Sequence, residues 1–152
     1  MKTYTDLRGQ TFNLSDMGRE ELELFRQLRT DAEKLDTAAY HNHWIQQVSQ
    51  LLSARGLSRA EIVRTTLYRL AQDLGSRQQV QRGEARAPDY RDELEQIIRE
   101  KFKTQRAFCE ATGMSEDMLS HVLAFRKHLA INTLTEALAR IGYGLRITPL
   151  AK

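Results

Sequence analysis

Cysteine is nearly absent from this sequence, which has only Cys109 among its 152 residues. A single cysteine excludes an internal disulfide framework, and no Cys or His spacing resembles a structural zinc site. We therefore expect no metal and no cofactor, and a reducing compartment such as the cytoplasm. Runs of about 18 apolar residues are also missing, as is the apolar stretch of a signal peptide. The sequence thus predicts a soluble protein without a membrane span.

Turn-forming residues are scarce as well, with two prolines and eight glycines. So few argue against a fold built from strands and tight turns, and the many Leu, Ala, Glu, Arg and Gln residues favour helices. The predicted fold class is therefore mainly α. The formal net charge of +3 permits binding to nucleic acid but is too small an excess to establish it.

The N-terminal half predicts a helical unit. Apolar residues recur at helical spacing from Ser15 onward, and acidic residues near the start of this first helix suit its dipole. A second helix is predicted after its cap, Asp36, and a capping box at Ser58 opens a third helix that ends at Gly75. Because their apolar stripes need partners, residues 1–75 are predicted to be a three-helix unit that dimerises or binds a partner protein.

Residues 76–88 predict a basic linker. They contain one large apolar residue, Val80, and three arginines, Arg77, Arg82 and Arg86. This composition offers too little material for a buried face. A solvated connector is therefore favoured over a segment whose arginines reach a phosphate backbone.

Two short extended segments are predicted near the ends of the chain. Arg8-Gly9-Gln10 would turn a short hairpin. Residues Gly144 to Pro149 alternate apolar and polar side chains, which is typical of a strand. That strand would pair either with the N-terminal segment or with its counterpart in a second subunit.

Residues 89–152 predict a bundle of four short helices. A helix that starts at Asp89 precedes two others, which are capped by Thr104 and Ser115 and joined by a tight turn at Gly113. The predicted inward residues of this pair are Phe108, Cys109, Met118, Leu119 and Val122, and those of the last helix are Leu134, Ala137, Leu138 and Ile141. Helices this short are not stable alone, so each must support the others.

The stretch from Thr104 to Gly142 resembles the Xre or lambda-repressor-like helix-turn-helix family, whose motif usually extends over about 55 residues. The matching positions are Thr104, Gln105, Phe108, Cys109, Gly113, Ser115, Leu119, Arg126-Lys127-His128 and Leu134 to Gly142. In that family the second motif helix enters the major groove. The resemblance therefore implies a bacterial or phage-type transcriptional regulator that binds double-stranded DNA as a homodimer.

The same resemblance implies a set of DNA-binding residues, namely Gln105, Ser115, Glu116, Asp117, Ser120, His121, Arg126, Lys127 and Asn132. Base-reading positions of the family fall on Ser115, Glu116, Asp117 and His121. Gln105 and Asn132 match positions that touch phosphates. Repressors often carry Gln, Arg or Lys where this helix begins with Glu116 and Asp117. These carboxylates would accept hydrogen bonds from cytosine N4, or would only complement the helix dipole of a protein-binding module.

The alternative function is an antitoxin-like interaction module that holds another protein through residues 1–88. The two functions are compatible, since antitoxins that resemble this family frequently repress their own operons. An enzyme is not expected, because no carboxylate pair, nucleophile-base arrangement or phosphate-binding loop can be assembled. Cys109 is predicted to be a small buried packing residue rather than a nucleophile.

The four histidines and the single tryptophan are further candidates for site residues. His41 and His43 would point in different directions on a helix, and no acid or thiol at matching spacing completes a metal site. Trp44 is predicted to lie in the core or to anchor an interface. His128, like His121, would contact a phosphate or a base, or would simply be exposed.

Overall fold

The structure is a computed structural model, and it describes residues 2 to 147. Over these residues it contains eight α-helices, and with 66% helix and 4% strand the predicted mainly α fold is confirmed. The chain divides into two compact units between Ala87 and Pro88. Within the part of the chain described, none of the helices is both long and apolar enough to cross a membrane.

A β-hairpin opens the first unit, as predicted around Gly9. Strand β1 (Thr3–Thr5) pairs antiparallel with β2 (Thr11–Asn13), and Tyr4 lies opposite Phe12. Gly9 adopts a φ of 80°, a left-handed conformation that glycine takes without steric cost. A short 3-10 turn, Leu14–Asp16, then leads to the helices.

Helices α1 (Arg19–Lys34) and α2 (Thr37–Ala54) form next. Asp36 caps α2 as predicted, because its Oδ1 accepts a hydrogen bond from the backbone N–H of Ala39 at 2.8 Å. The buried face of α2 consists of Tyr40, Trp44, Val48 and Leu52. Trp44 is only 2% exposed, so the prediction that it lies in the core is confirmed.

The predicted third helix is divided into two. The Ser58 capping box opens a short helix, α3 (Arg59–Ile62), and Thr65 then caps a second one, α4 (Thr66–Gln81). The prediction that the helix ends at Gly75 is wrong. A Cβ on Gly75 would lie 3.4 Å from a ring carbon of Tyr40, so this glycine permits close packing of α4 against α2.

The predicted linker is also wrong over residues 76–81, which belong to α4. Gln78 is 5% exposed, and its Nε2 donates hydrogen bonds to the carbonyl oxygens of Ala32 at 2.7 Å and Leu35 at 2.6 Å. These carbonyls belong to the end of α1, where the helix has no backbone donors left for them. One polar side chain thus ties α4 to α1.

Two of the linker arginines make structural contacts within the first unit. The Nε of Arg77 donates to Asp73 at 2.8 Å and to the hydroxyl of Tyr4 at 3.0 Å, which joins α4 to the hairpin. Arg82 donates to the carbonyl oxygen of Leu35 at 2.8 Å. The sequence could not indicate the contacts with Tyr4 and Leu35, because these partners lie 73 and 47 residues away in the chain.

The second unit contains the remaining helices, α5 (Tyr90–Ile97), α6 (Gln105–Thr112), α7 (Glu116–Leu123) and α8 (Ile131–Arg140). A π-helical segment, Ile98–Phe102, extends α5. The core of the second unit comprises Leu94, Ile98, Phe108, Cys109, Leu119, Val122, Leu129, Leu134 and Leu138. The predicted strand from Gly144 to Pro149 does not form over residues 144–147, and Thr148 and Pro149 lie outside the described residues.

Candidate nucleic-acid interface

The predicted caps fix α6 at both ends and α7 at its start. The hydroxyl of Thr104 accepts a hydrogen bond from the N–H of Ala107 at 3.1 Å, and that of Ser115 accepts one from Met118 at 3.2 Å. Gly113 ends α6 with a φ of 76°, which makes it the left-handed residue that turns the chain. The sequence therefore specifies both the start of α7 and its separation from α6.

The inner sides of both helices are anchored in the core of the unit. Phe108, Leu119 and Val122 are fully buried, and Cys109 is 6% exposed. The ring of Phe102 packs edge-on against Phe108, with centroids 5.5 Å apart. Because every inward position of α7 is occupied by packing, its outer side cannot rotate into the core without exposing these residues.

The outer side of α7 carries most of the predicted base-reading residues. Glu116, Asp117 and Ser120 are exposed, and the side chain of Asp117 is 92% exposed. His121 is 39% exposed, and its Nε2 lies 3.8 Å from an oxygen of Asp117, a loose contact one helical turn away. Polar groups at this helix surface are therefore available to a partner.

Glu116 and Asp117 occupy the first turn of α7, where carboxylates favour the positive end of the helix dipole. The exposed Ser115 caps this turn. The acidic start therefore has a structural explanation that requires no ligand. It also gives this end of the helix a negative potential, which affects any polyanion that approaches it.

The predicted phosphate-contacting residues lie on other elements. Gln105 is the exposed first residue of α6, and Asn132 is the exposed second residue of α8. Arg126 and Lys127 are exposed in the loop after α7, and within residues 2 to 147 neither side chain forms an ion pair. Arg91 Nη1 reaches the carbonyl oxygen of Lys127 at 3.4 Å, so this loop is held to α5.

A groove beside α7 brings predicted and unpredicted residues together. Its volume is about 460 Å³, and it is lined by Glu95, Ile98, Arg99, Lys103, Gln105, Ser120, Leu123 and Ala124. Gln105 and Ser120, which were predicted, thus share a groove with the cations Arg99 and Lys103, which were not. Lys103 has a φ of 66°, a left-handed conformation that is unusual for a residue with a side chain. Its position directly before the cap Thr104 is the sequence feature that could have identified it.

No family model, curated protein or solved structure matches the chain. Membership of the helix-turn-helix family therefore stays a prediction. The functional proposal below rests on the exposure and the contacts of the residues described above.

His43 and His128 contact residues of their own units, and Cys109 is buried. His43 Nε2 lies 2.9 Å from Asp31, and His128 Nδ1 lies 3.1 Å from the hydroxyl of Tyr90. Over the described residues, no group of three or more His, Cys, Asp or Glu side chains could hold a metal ion. Burial, followed by the charge of Glu116, raises the pKa of the Cys109 thiol. A protonated, buried thiol fits the predicted packing role.

Proposed function

We propose that the second unit is a helix-turn-helix domain of the Xre type and that it binds duplex DNA through α7. In this assignment α6 and α7 are the two motif helices, α5 and α8 support them, and α7 is the recognition helix. The observation that carries the proposal is the polar outer side of α7, where Glu116, Asp117 and Ser120 are exposed and His121 is partly exposed. The inner side of the same helix is packed in the core.

The proposed contacts follow from the chemistry of each residue. A major groove about 12 Å wide admits an α-helix, and carboxylates there accept hydrogen bonds from cytosine N4. Glu116 and Asp117 would make such contacts, and so would favour sites with cytosine. Phosphates would be held by Arg126 and Lys127, with Lys103 and Gln105 near the start of α6.

We further propose that two copies act together. One eight-residue helix contacts few base pairs, whereas a dimer reads two half-sites about 34 Å apart, or multiples of this spacing. A DNA-binding regulator of this kind would act in the cytoplasm and would not be an enzyme. The first unit is the proposed dimerisation or partner-binding part.

An electrophoretic mobility shift assay with the duplex upstream of the chain's own gene tests the proposal. We expect a specific complex that weakens steeply as salt rises from about 50 to about 200 mM, because bound phosphates release counterions. A scrambled duplex of the same length and composition is the control. Absence of a complex at the lowest salt, or equal affinity for both duplexes, would refute sequence-specific binding.

The acidic start of α7 favours a second candidate function, an antitoxin-like interaction module in which the helix-turn-helix fold supports the binding of a protein partner that residues 1–88 hold. Phosphates would be repelled by Glu116 and Asp117, whereas a basic protein would not. A neighbouring gene for a small toxin, together with co-purification of its product with the full chain, would support this function. It is compatible with DNA binding.

A further inference from the structure

The first unit contains a pocket that the proposed DNA-binding function does not use. It lies between the start of β1, the 3-10 turn and α1, and its volume is about 300 Å³. The lining residues are Lys2, Leu14, Ser15, Leu22, Phe25, Arg26 and Arg29. This volume is at the lower end of the range for pockets that bind small molecules.

The floor of the pocket is apolar and belongs to a well-packed core. Leu14 is 6% exposed and Phe25 is 3% exposed, and the partly buried Leu22 packs against the same cluster. Such residues are held in place by their neighbours, so the floor is already formed before any ligand arrives. An apolar group that enters the pocket would therefore lose its contact with water without requiring the core to rearrange.

The rim of the pocket is cationic. Leu22, Arg26 and Arg29 are four and three residues apart on α1, which places them along one face of the helix. Lys2 approaches from the start of the hairpin, and no acidic residue lines the pocket. Within residues 2 to 147, Lys2, Arg26 and Arg29 form no ion pair, in contrast to Arg19 on the same helix, which pairs with Glu23 at 3.1 Å.

We infer that this pocket binds a small amphipathic carboxylate, with its apolar tail on Leu14, Leu22 and Phe25 and its carboxylate between Arg26, Arg29 and Lys2. A guanidinium binds a carboxylate through two parallel hydrogen bonds, and two arginines with a lysine supply an excess of positive charge. A neutral apolar ligand would form no charge-assisted hydrogen bond with these exposed cations, and a small inorganic anion would leave the apolar floor uncovered. Only a ligand with both parts uses the whole pocket.

Titration of the full-length protein with sodium octanoate, followed by NMR, tests this inference. We expect saturable shifts in the resonances of Leu22 and Phe25. Octanamide, the uncharged analogue, should bind at least about tenfold more weakly because it loses the charge-assisted hydrogen bonds. Hexanoate should bind about tenfold more weakly than octanoate, since each buried methylene strengthens binding by about fourfold.

Variants separate the pocket from general charge effects. The double substitution Arg26→Gln with Arg29→Gln should weaken octanoate binding by at least about tenfold, whereas Arg19→Gln on the same helix should leave it unchanged. Circular dichroism melts establish that each variant is folded, and the comparison of octanoate with octanamide needs no variant at all.

Three results would overturn the inference. These are the absence of saturable shifts, equal binding of octanoate and octanamide, and equal weakening by Arg19→Gln and the double substitution. The pocket lies wholly in the first unit, so none of these results depends on whether the second unit binds DNA.

Discussion

The guanidinium of Arg140, at the end of α8, donates a hydrogen bond from Nη1 to the carbonyl oxygen of Thr112, 2.9 Å away. Thr112 is the last residue of α6, and its carbonyl has no backbone partner within the helix. The same Nη1 atom occupies the space that a Cβ on Gly113 would need. The turn between α6 and α7 is thus secured by a side chain from a third helix.

This relationship predicts the effect of placing alanine at the turn. Gly113→Ala should lower the free energy of unfolding by about 1–2 kcal/mol because alanine strains the left-handed backbone. The total loss should be larger than this, because Arg140 must also move away and weaken its hydrogen bond to Thr112. Gly142→Ala is the matched control, since Gly142 has a φ of 83° but no atom within 4 Å of a built Cβ. Urea unfolding followed by circular dichroism measures both. Equal losses in the two variants would show that Arg140 does not restrain the turn.

The left-handed backbone conformation of Lys103 is expected to destabilise the folded state. Its φ of 66° is strained for any residue with a Cβ, so Lys103→Gly should raise the free energy of unfolding by about 0.5 kcal/mol. Lys101 belongs to the helical segment two residues earlier, so Lys101→Gly should lower the free energy of unfolding by about 0.5–1 kcal/mol. Thermal melts of both variants give the comparison. A loss of stability in Lys103→Gly would indicate that its side chain forms stabilising contacts that outweigh the strain.

The local features of the fold were predictable from sequence because their causes are local. Asp36, Ser58, Thr104 and Ser115 cap helices where the sequence places them, and each does so by hydrogen bonding to a backbone N–H within three residues. The turn at Gly113 follows from the freedom of glycine at positive φ. These residues also define α7, so the position of the candidate recognition helix was available from sequence.

The features that sequence reasoning missed depend on distant partners. The sequence predicts a helix end at Gly75, but this glycine packs closely against Tyr40 of α2 from within α4. The sequence predicts that Arg77 belongs to a solvated linker, but its partners include Tyr4, 73 residues earlier. Lys103 was missed because its place in the groove beside Ser120 requires α6 and α7 to be folded against each other. No local pattern distinguishes Gly75 from an ordinary helix end or Arg77 from an ordinary surface cation.

Gln78 is predicted to be essential for joining α1 to α4. Gln78→Glu would replace an amide donor by a carboxylate that faces the carbonyl oxygens of Ala32 and Leu35, and should lower the free energy of unfolding by about 2–4 kcal/mol. The neighbouring Gln79 is exposed, and Gln79→Glu should change stability by less than about 0.5 kcal/mol. Urea unfolding at pH 7 tests both. Similar small effects in the two variants would contradict the bridging role of Gln78.

Alkaline pH is predicted to destabilise the first unit. Burial raises the pKa of Tyr4 and of Tyr40 above the ordinary value of 10.0, and hydrogen bonding to Asp73 adds to the shift at Tyr4. The folded state therefore holds these protons more tightly than the unfolded chain does. Their contribution is fully present below about pH 10 and is lost as the pH rises above it.

Urea unfolding between about pH 8 and about pH 11 measures this loss. Tyr40→Phe, which removes one of the two protons, should make the decline with pH shallower. Tyr143 is exposed, so Tyr143→Phe is the control and should leave the decline unchanged. A pH-independent free energy of unfolding over this range would contradict the assignment.

The proposed DNA contacts predict two different mutational phenotypes. Substituting Arg126 and Lys127 together by glutamine should weaken binding to all duplexes similarly and reduce the salt slope by about two, because each cation neutralises one phosphate. Glu116→Gln or Asp117→Asn should instead change which base is preferred, since cytosine N4 donates to a carboxylate. Binding measured against a set of single-base variants of the preferred duplex separates the two phenotypes.

A gain in affinity after removal of a carboxylate also has a trivial cause, the loss of one repulsive charge. Glu136, an exposed residue of α8, provides the control, because Glu136→Gln removes the same charge away from α7. If Glu116→Gln raises affinity for every duplex to the same extent as Glu136→Gln, then Glu116 acts only through its charge. Glu116 would then serve the helix dipole alone, and base recognition would have to come from Asp117, Ser120 and His121.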